Sequence, residues 1–336
     1  MLFQSHSSLS RRLLFIVPLL GLILLLSMVA SLLEGSSGLG IADVLASFSG
    51  GGGKAAVVQT ILWRIRLPRA VLAAAVGATL SLGGLVFQAR LGNPLAEPYI
   101  LGISGGAAVG AILGMFFGLA MFPGVTLLAF AGAMLVMATV LLLARTRGGG
   151  RSDFLLLAGV MLNAFCSACI MFLLSLSRGS QVQHILFWLM GDLSMAEPGR
   201  LWLLLPLPAC FFLILILARP MNLLLTGQES AAALGVHVQR LTWVLLGTTS
   251  FMVSLVVSQS GLVGFVGLLV PHFFRLLLGP DHRILVPACI LGGGAYLVLC
   301  DLLARALPAG GEMPVGVITA LVGAPLFVFL LWRSRT

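Results

Sequence analysis

The sequence has 336 residues, of which 60% are apolar and only 9% are charged. The mean hydropathy of +1.14 is higher than a water-soluble protein of this length requires to form its core. The composition therefore excludes a soluble globular protein and predicts a polytopic membrane protein. The formal charge of +9 must lie at the membrane surfaces, because long apolar runs tolerate few charges, and nucleic-acid binding is not expected.

Apolar runs of spanning length follow one another along the chain. Each is compared with the roughly 20 residues that an α-helix needs to cross a bilayer. The first run follows Arg11 and Arg12 and precedes no small-residue cleavage site, so it is interpreted as a retained helix rather than a signal peptide. About ten transmembrane helices are predicted, near 13–33, 69–90, 101–121, 125–145, 154–177, 200–219, 242–258, 261–278, 284–304 and 314–332.

The distribution of arginine predicts the orientation of the chain. An even number of spans places both termini on one side, and assigning that side to the cytoplasm puts twelve arginines inside and seven cations outside, as the positive-inside rule requires. The outer group includes Arg64, Arg66 and Arg69, just before the second span, and Arg305, before the last. A cation at a helix N-terminus opposes the macrodipole, so we expect an anionic partner for the first three. Snorkelling to lipid headgroups is the alternative.

The spans are not interrupted by a soluble domain, so residues 1–336 are expected to form one all-α transmembrane domain. The longest inner connection, about 219–240, is expected to be helical and moderately polar. Helices two to five and seven to ten are predicted to form two inverted four-helix halves around the sixth, an arrangement that many transporters share.

Two polar segments interrupt the apolar pattern. The turn "NPLAEP" at 93–98 places polar groups at the inner membrane face, and the glycines that follow at 102, 105, 106 and 110 predict close helix contact. The segment "ESAAALG" at 229–235 predicts a short helix that ends at Gly235. This helix is either a docking element or an ordinary surface helix.

Few residues suggest catalysis or metal binding. The five cysteines fall inside apolar runs, as packing residues do. For His272 and Asp281 a structural role is favoured over a metal or proton-relay role, with Asp281 capping a helix and pairing with Arg283. The sequence contains neither a catalytic triad nor a phosphate-binding loop, so we expect no catalytic or metal site and no ATP hydrolysis by this chain alone.

These motifs resemble, in their order, those of the FecCD-type permeases, the membrane subunits of bacterial ABC importers for vitamin B12, haem and ferric siderophores. The matching segments cover the chain from Arg64 to its end. They are "RLPR" at 66–69, "GNPLAEP" at 92–98, "LGISGGAAVG" at 101–110, "LLLAG" at 155–159, "FWLMGDL" at 187–193, "GLVGFVGLLVPHFFR" at 261–275, "DHR" at 281–283 and "PVGVITALVGAPLFVFLL" at 314–331.

The resemblance implies a B12-importer-like fold and a homodimeric pore in the bacterial inner membrane, with ten helices per subunit. It also implies two cytoplasmic ATPase subunits that carry ATP and magnesium, a periplasmic substrate-binding protein, and no cofactor on this chain.

The resemblance further implies roles for particular residues. Outer pockets that receive glutamates of the binding protein through charge-assisted hydrogen bonds would be formed by Arg66, Arg69 and Arg305. The cytoplasmic gate would be formed by Asn93, Leu95, Ser152 and Asp153; the last two replace a Thr-Ser pair of the B12 importer. The contact with the ATPase would be made by Glu229, Ala231, Ala232 and Gly235, with Ser230 replacing the first alanine of the common pattern.

The leading hypothesis is an importer permease that moves a metal chelate or corrinoid inward by ATP-driven alternating access. One alternative is an ion-coupled secondary transporter with His272 and Asp301 as relays, and another is an intramembrane enzyme that uses Cys166, Cys169 or His272. Both alternatives need ionisable groups at depth, and the spans contain hardly any. The residues do not distinguish haem, siderophore and cobalamin as substrates.

Overall fold

The computed structural model describes residues 6–34, 53–146, 152–308 and 311–333, and the regular secondary structure in these ranges is helical. The α-helices are α1 (His6–Leu33), α2 (Gly53–Thr60), α3 (Leu67–Leu91), α4 (Ile103–Phe116), α5 (Thr126–Thr146), α6 (Ser152–Leu176), α7 (Gly179–Leu189), α8 (Pro206–Ile216), α9 (Ala218–Leu224), α10 (Gln228–Ala233), α11 (Val238–Ser260), α12 (Val266–Leu278), α13 (His282–Ala306) and α14 (Val315–Arg333). Short 3-10 helices lie at Pro98–Leu101 and Pro198–Leu204.

The predicted spans are confirmed as helices. In the described part of the chain, seven helical stretches are long and apolar enough to cross a membrane, and three shorter apolar helices accompany them. The seven are Arg11–Leu33, Ala55–Leu91, Met121–Ala144, Phe154–Leu176, Pro198–Ile216, Val238–Ser260 and His282–Ala306. The three are Ile103–Phe116, Val266–Leu278 and Val315–Leu330. Together they match the predicted spans one for one, so the chain is an all-α multi-pass membrane protein.

The second span is much longer than predicted. Helix α2, a π-helical segment at Ile61–Arg66 and α3 run on without a break. Arg64, Arg66 and Arg69 therefore lie inside a helix rather than at its N-terminus. The predicted conflict with the macrodipole is wrong, because that field is confined to the first turn of a helix.

The eighth predicted span begins later than expected. Helix α12 starts at Val266, and the five preceding residues form an irregular segment with positive φ at Gly261 (66°) and Phe265 (68°). A Cβ at Gly261 would lie 2.1 Å from the carbonyl oxygen of Trp188 at the end of α7. Only glycine allows this close approach, and α11 ends at this glycine. The apolar pattern alone does not reveal this boundary.

The core is built around α3, which packs against α11, α12 and α13. Helices α3 and α13 touch backbone to backbone, since a Cβ at Gly77 would lie 2.2 Å from the carbonyl oxygen of Gly293. A Cβ at Gly106 on α4 would lie 2.4 Å from the oxygen of Gly132 on α5, which confirms the close contact predicted for that glycine. The inverted symmetry of two halves stays a prediction.

The antiparallel pair α3 and α13 defines two ends of the molecule. The arginine end is the end at which Arg66, Arg69 and Arg305 lie. The NPL end is the opposite one, where α3 is followed by the turn at 93–95 and α13 begins at His282. The predicted docking arginines lie at the first of these ends, and the predicted gate turn lies at the second.

Candidate functional site

A buried carboxylate joins two of the predicted docking arginines at the arginine end. Asp301 on α13 is fully buried, and it accepts hydrogen bonds from Nε of Arg69 at 2.9 Å and from Nε of Arg305 at 3.1 Å. Arg305 lies one turn further along α13, whereas Arg69 comes from α3. The three side chains therefore tie the ends of α3 and α13 together through charge-assisted bonds.

The C-terminus of α1 supplies further acceptors to the same cluster. Arg66 donates to the carbonyl oxygens of Leu32 at 2.6 Å and Leu33 at 3.0 Å, and Arg305 donates to Oγ of Ser31 at 2.7 Å. The last carbonyls of a helix have no intrahelical partner and carry the negative end of its dipole. They therefore stabilise cations that are almost completely buried.

The outermost member of the cluster is a carboxylate. Arg69 also donates to Oε2 of Glu312, whose side chain is 34% exposed, whereas that of Arg69 is 7% exposed. The anionic partner that the sequence predicts for these arginines is thus supplied in part by the chain itself. Sequence reasoning missed Glu312 and named Asp301 only as a candidate relay, although the i, i+4 spacing of Asp301 and Arg305 was a visible signal of an ion pair.

The predicted gate turn lies at the NPL end and contains hydrogen bonds of its own. Helix α3 ends at Gly92, with φ of 62°, and Oδ1 of Asn93 accepts from the backbone N–H of Leu95 at 2.9 Å. The side chain of Leu95 is 45% exposed, so the turn presents an apolar group at the surface. Ser152 and Asp153 begin α6, but their side chains lie outside the described part of the structure.

Glu97 follows the same turn and is half-buried. Burial raises the pKa of Glu97 from 4.5 to about 7, because removing a carboxylate from water disfavours its charged form. This carboxyl group can therefore exchange its proton near neutral pH.

The predicted ATPase contact forms the short helix that the sequence indicates. Helix α10 is followed by Gly235 with φ of 86°, and the N–H of Val236 returns to the carbonyl of Ala231 at 3.0 Å, as in a glycine-terminated helix. Ala231 is buried, whereas Glu229 and Ala232 are exposed. The helix thus presents a small exposed face with one acid on it.

A side chain that the sequence analysis did not single out joins this region to α13. Asn222 on α9 donates from Nδ2 to Oδ1 of Asp281 at 2.7 Å and accepts from the backbone N–H of His282 at 2.8 Å. Asp281 also caps α13 through the N–H of Arg283 and pairs with its guanidinium at 2.7 Å, which confirms the structural role predicted for it. Asn222 belongs to no recognisable motif, so no sequence signal marked it.

Asp281 is consequently held in its charged form. Burial raises the pKa of Asp281, but hydrogen bonds from Arg283 and Asn222 outweigh that effect and lower the pKa to about 2.

The second candidate relay, His272, and the candidate redox cysteines do not belong to the charge cluster that holds Asp301. His272 is buried, and its ring meets that of Phe327 edge to face at 5.6 Å. Cys166 and Cys169 are free thiols. Among the residues that the structure describes, no group of three or more His, Cys, Asp or Glu side chains is placed to hold a metal ion.

A cavity of about 280 Å³ is lined mainly by the C-terminal part of α4, helix α7 and the segment 192–201. Leu72, one turn from Arg69, forms part of its wall, so the cavity lies toward the arginine end. Its lining mixes aromatic groups such as Trp188 with polar ones such as His184 and Arg200.

Comparison with known sequences gives one consistent result. The model of the FecCD transport family matches residues 23–333. The chain is 39% identical over 279 residues to the vitamin B12 import system permease protein BtuC of Klebsiella pneumoniae, covering 82% of this chain and 84% of that protein. It is 44% identical over 278 residues to the cobalamin import system permease protein BtuC of Halobacterium salinarum, covering 82% and 74% respectively.

Comparison with solved structures agrees. A structure described as a metal-chelate type ABC transporter in an inward-facing conformation superposes with a TM-score of 0.84 at 33% identity, covering 95% of this chain and 99% of that one. PsaBC from Streptococcus pneumoniae superposes with a TM-score of 0.58 at 17% identity, which shows a shared fold alone.

Proposed function

The chain belongs to the FecCD transport family, and from this premise we propose that it is the membrane-spanning permease of an ABC importer for vitamin B12 or metal chelates. The observation that carries the proposal is the superposition on a metal-chelate type ABC transporter over 95% of the chain. The permease moves its substrate into the cytoplasm by alternating access. Hydrolysis of ATP takes place on partner ATPase subunits.

The proposal includes a second copy of the chain. Pockets for drug-sized ligands occupy about 300–1,000 Å³, and the cavity beside α7 within one chain, at about 280 Å³, lies below that range. A pore between two copies related by a two-fold axis provides the missing space. Apolar side chains exposed on α6 and α14, among them Phe165 and Leu321, are available for such a pore and its interface.

We assign the arginine end to the outside of the bacterial inner membrane and both termini to the cytoplasm, following the distribution of arginine. Arg66, Arg69 and Arg305 then face the substrate-binding protein. Asp301 pairs with both Arg69 and Arg305, and Glu312 pairs with Arg69 at the exposed edge of the cluster, so Glu312 is the member that a glutamate of that protein can displace. A carboxylate that replaces Glu312 on Arg69 would dock without leaving a buried cation unpaired.

The NPL end then faces the cytoplasm. Leu95, held by its turn, and the residues at the start of α6 form the gate near the two-fold axis. Helix α10, with Glu229 and Ala232 exposed, seats in a cleft of the ATPase. Its neighbour Leu234 is 64% exposed. Burying an apolar side chain of this size against a partner is favourable.

The buried charge cluster also bears on the secondary-transporter alternative. A relay at Asp301 needs a carboxyl group that is accessible from water, whereas the Asp301 side chain is fully buried and bonded to two guanidinium groups. This arrangement supports the importer over the relay.

The test is transport by the reconstituted complex. The permease is purified with its ATPase and placed in lipid vesicles, and uptake of cyanocobalamin, hemin and a ferric hydroxamate is measured with and without the binding protein. We expect uptake of one of these substrates that requires both ATP and the binding protein. Uptake driven by an imposed proton gradient in vesicles that lack the ATPase would instead establish the secondary transporter.

A further inference from the structure

Asn222 occupies the junction between two functional regions at the NPL end. It lies on α9, which leads within a few residues into α10, the proposed ATPase contact. Its partners Asp281 and His282 lie 59 and 60 residues later, at the first turn of α13. The junction is therefore a tertiary contact rather than a local turn.

One amide group supplies the polar part of this contact. Nδ2 of Asn222 donates to Asp281 at 2.7 Å, while its Oδ1 accepts from the N–H of His282 and lies 2.8 Å from Nδ1 of the same histidine. Among uncharged side chains of this length, only an amide offers a donor and an acceptor side by side. Met221, next to it, is completely buried, so α9 is held against its surroundings by packing as well.

Helix α13 connects this junction to the arginine end. It has 25 residues, which corresponds to about 37 Å at 1.5 Å per residue. Near the middle of α13, Gly293 touches the backbone of α3 and leaves no room for a side chain. At the far end of α13, Asp301 binds Arg69, which also lies on α3. Close-packed elements of this kind shift together rather than deform separately.

We infer that Asn222 is a positioning residue that couples the ATPase-facing segment α9–α10 to α13, and through α13 to the arginine end. This inference rests on the proposed function, because it gives a route by which docking outside changes ATP hydrolysis inside. Helix α13 does not need Asn222 for its N-terminal cap, because Asp281 already accepts a hydrogen bond from the backbone N–H of Arg283. Stabilising α13 is therefore not a sufficient role for Asn222.

The experiment compares variants of the full complex in lipid nanodiscs. Asn222→Leu removes the donor and the acceptor while keeping the number and branching of the side-chain heavy atoms. Asn222→Asp keeps the acceptor but faces the carboxylate of Asp281. The double variant Asn222→Asp with Asp281→Asn removes that repulsion. Thr226→Ala is the matched control, because Thr226 is exposed on the same segment and its hydroxyl bonds only to Leu223.

Three quantities are measured: basal ATPase activity, its stimulation by the binding protein, and the affinity of the binding protein for the complex. We expect Asn222→Leu and Asn222→Asp to lower the stimulated-to-basal ratio by about five-fold or more, the lower range of allosteric couplings. Basal activity and the affinity for the binding protein should stay close to those of the parent, which a general loss of structure would not allow. The double variant should recover much of the ratio, and Thr226→Ala should retain it.

An unchanged ratio in Asn222→Leu overturns the inference, and so does a loss of basal activity in parallel with stimulation. If Asn222→Leu does not assemble, Asn222→Asp and its double variant decide by the same ratio. Hydrogen exchange of the amides of α9 and of the first turn of α13, measured on the permease alone, should increase in Asn222→Leu but not in the control. If the parent complex shows no stimulation by the binding protein, the proposed function is wrong and so is the inference. If stimulation is unchanged in Asn222→Leu, only the inference is wrong.

Discussion

Both ends of α13 carry an aspartate paired with arginine, but the two pairs are built differently. Asp301 at the arginine end is inaccessible to solvent and lies between two buried guanidinium groups. At the NPL end, the side chains of Asp281 and Arg283 are 27% and 32% exposed. Water can therefore replace a lost partner at the NPL end but not at the arginine end. The same pair of residue types forms a fixed anchor at one end and an adjustable junction at the other.

The sharpest test of this difference is Asp301→Asn. The substitution leaves Arg69 and Arg305 buried without their shared counter-ion, and breaking a buried pair from one side costs roughly 3–5 kcal/mol. We expect a large fall in the midpoint of thermal unfolding of the detergent-solubilised permease, together with poor expression. A midpoint within a degree or two of the parent would show that water reaches this cluster.

The second prediction concerns Glu97, the half-buried acid at the NPL end. The pKa of Glu97 in the folded chain, about 7, lies above its usual value of 4.5, so between these pH values the folded chain holds a proton that the unfolded chain has lost. Stability should therefore fall as the pH rises from about 4.5 to about 7 and level off above, by at most on the order of 3 kcal/mol.

Glu97→Gln should remove this slope, because the amide does not titrate. The measurement is the unfolding midpoint of parent and variant at a series of pH values. Parallel curves for the two proteins would mean that Glu97 is accessible to water.

The counterpart of the first prediction is Asp281→Asn at the NPL end. Asparagine still caps α13 and can still accept from Asn222, and the exposed ion pair with Arg283 contributes about 0–1 kcal/mol. The unfolding midpoint should therefore change little. An effect as large as that of Asp301→Asn would remove the distinction between the two ends.

The smallest expected effect concerns Glu312, the exposed edge of the arginine end. Glu312→Gln weakens the internal competitor for Arg69, so the binding protein should bind more tightly, by about three-fold, or roughly 0.6 kcal/mol. Glu197→Gln is the matched control, because Glu197 is also an exposed acid paired with an arginine, Arg200. Weaker binding after Glu312→Gln would mean that Glu312 itself contacts the partner.

The sequence predicted those features that depend on local pattern. Apolar runs predicted the spans, and glycine chemistry predicted the end of α10 at Gly235 and the contact between α4 and α5 at Gly106. The turn at Asn93 followed from its prolines and polar residues.

Features that depend on partners far apart in the chain were not predicted. Arg69 and Asp301 are separated by 232 residues, and Asn222 and Asp281 by 59. The start of the second span was misplaced for the same reason. Three arginines in six residues normally indicate the edge of a membrane span, but here the helix continues because Arg66 and Arg69 have internal acceptors.

This continuous helix has a consequence for the bilayer itself. Its apolar stretch, Ala55–Leu91, has 37 residues and is about 55 Å long, whereas the hydrocarbon layer is about 30 Å thick. Tilting to the usual extent, about 20°, shortens its projection by only a few ångströms. The stretch before Arg66, which includes the exposed Trp63, therefore extends into the headgroup layer, where tryptophan is favoured. Lipids with longer chains would cover part of it, so the thickness of the surrounding membrane sets how far this part of the protein stands above the lipid.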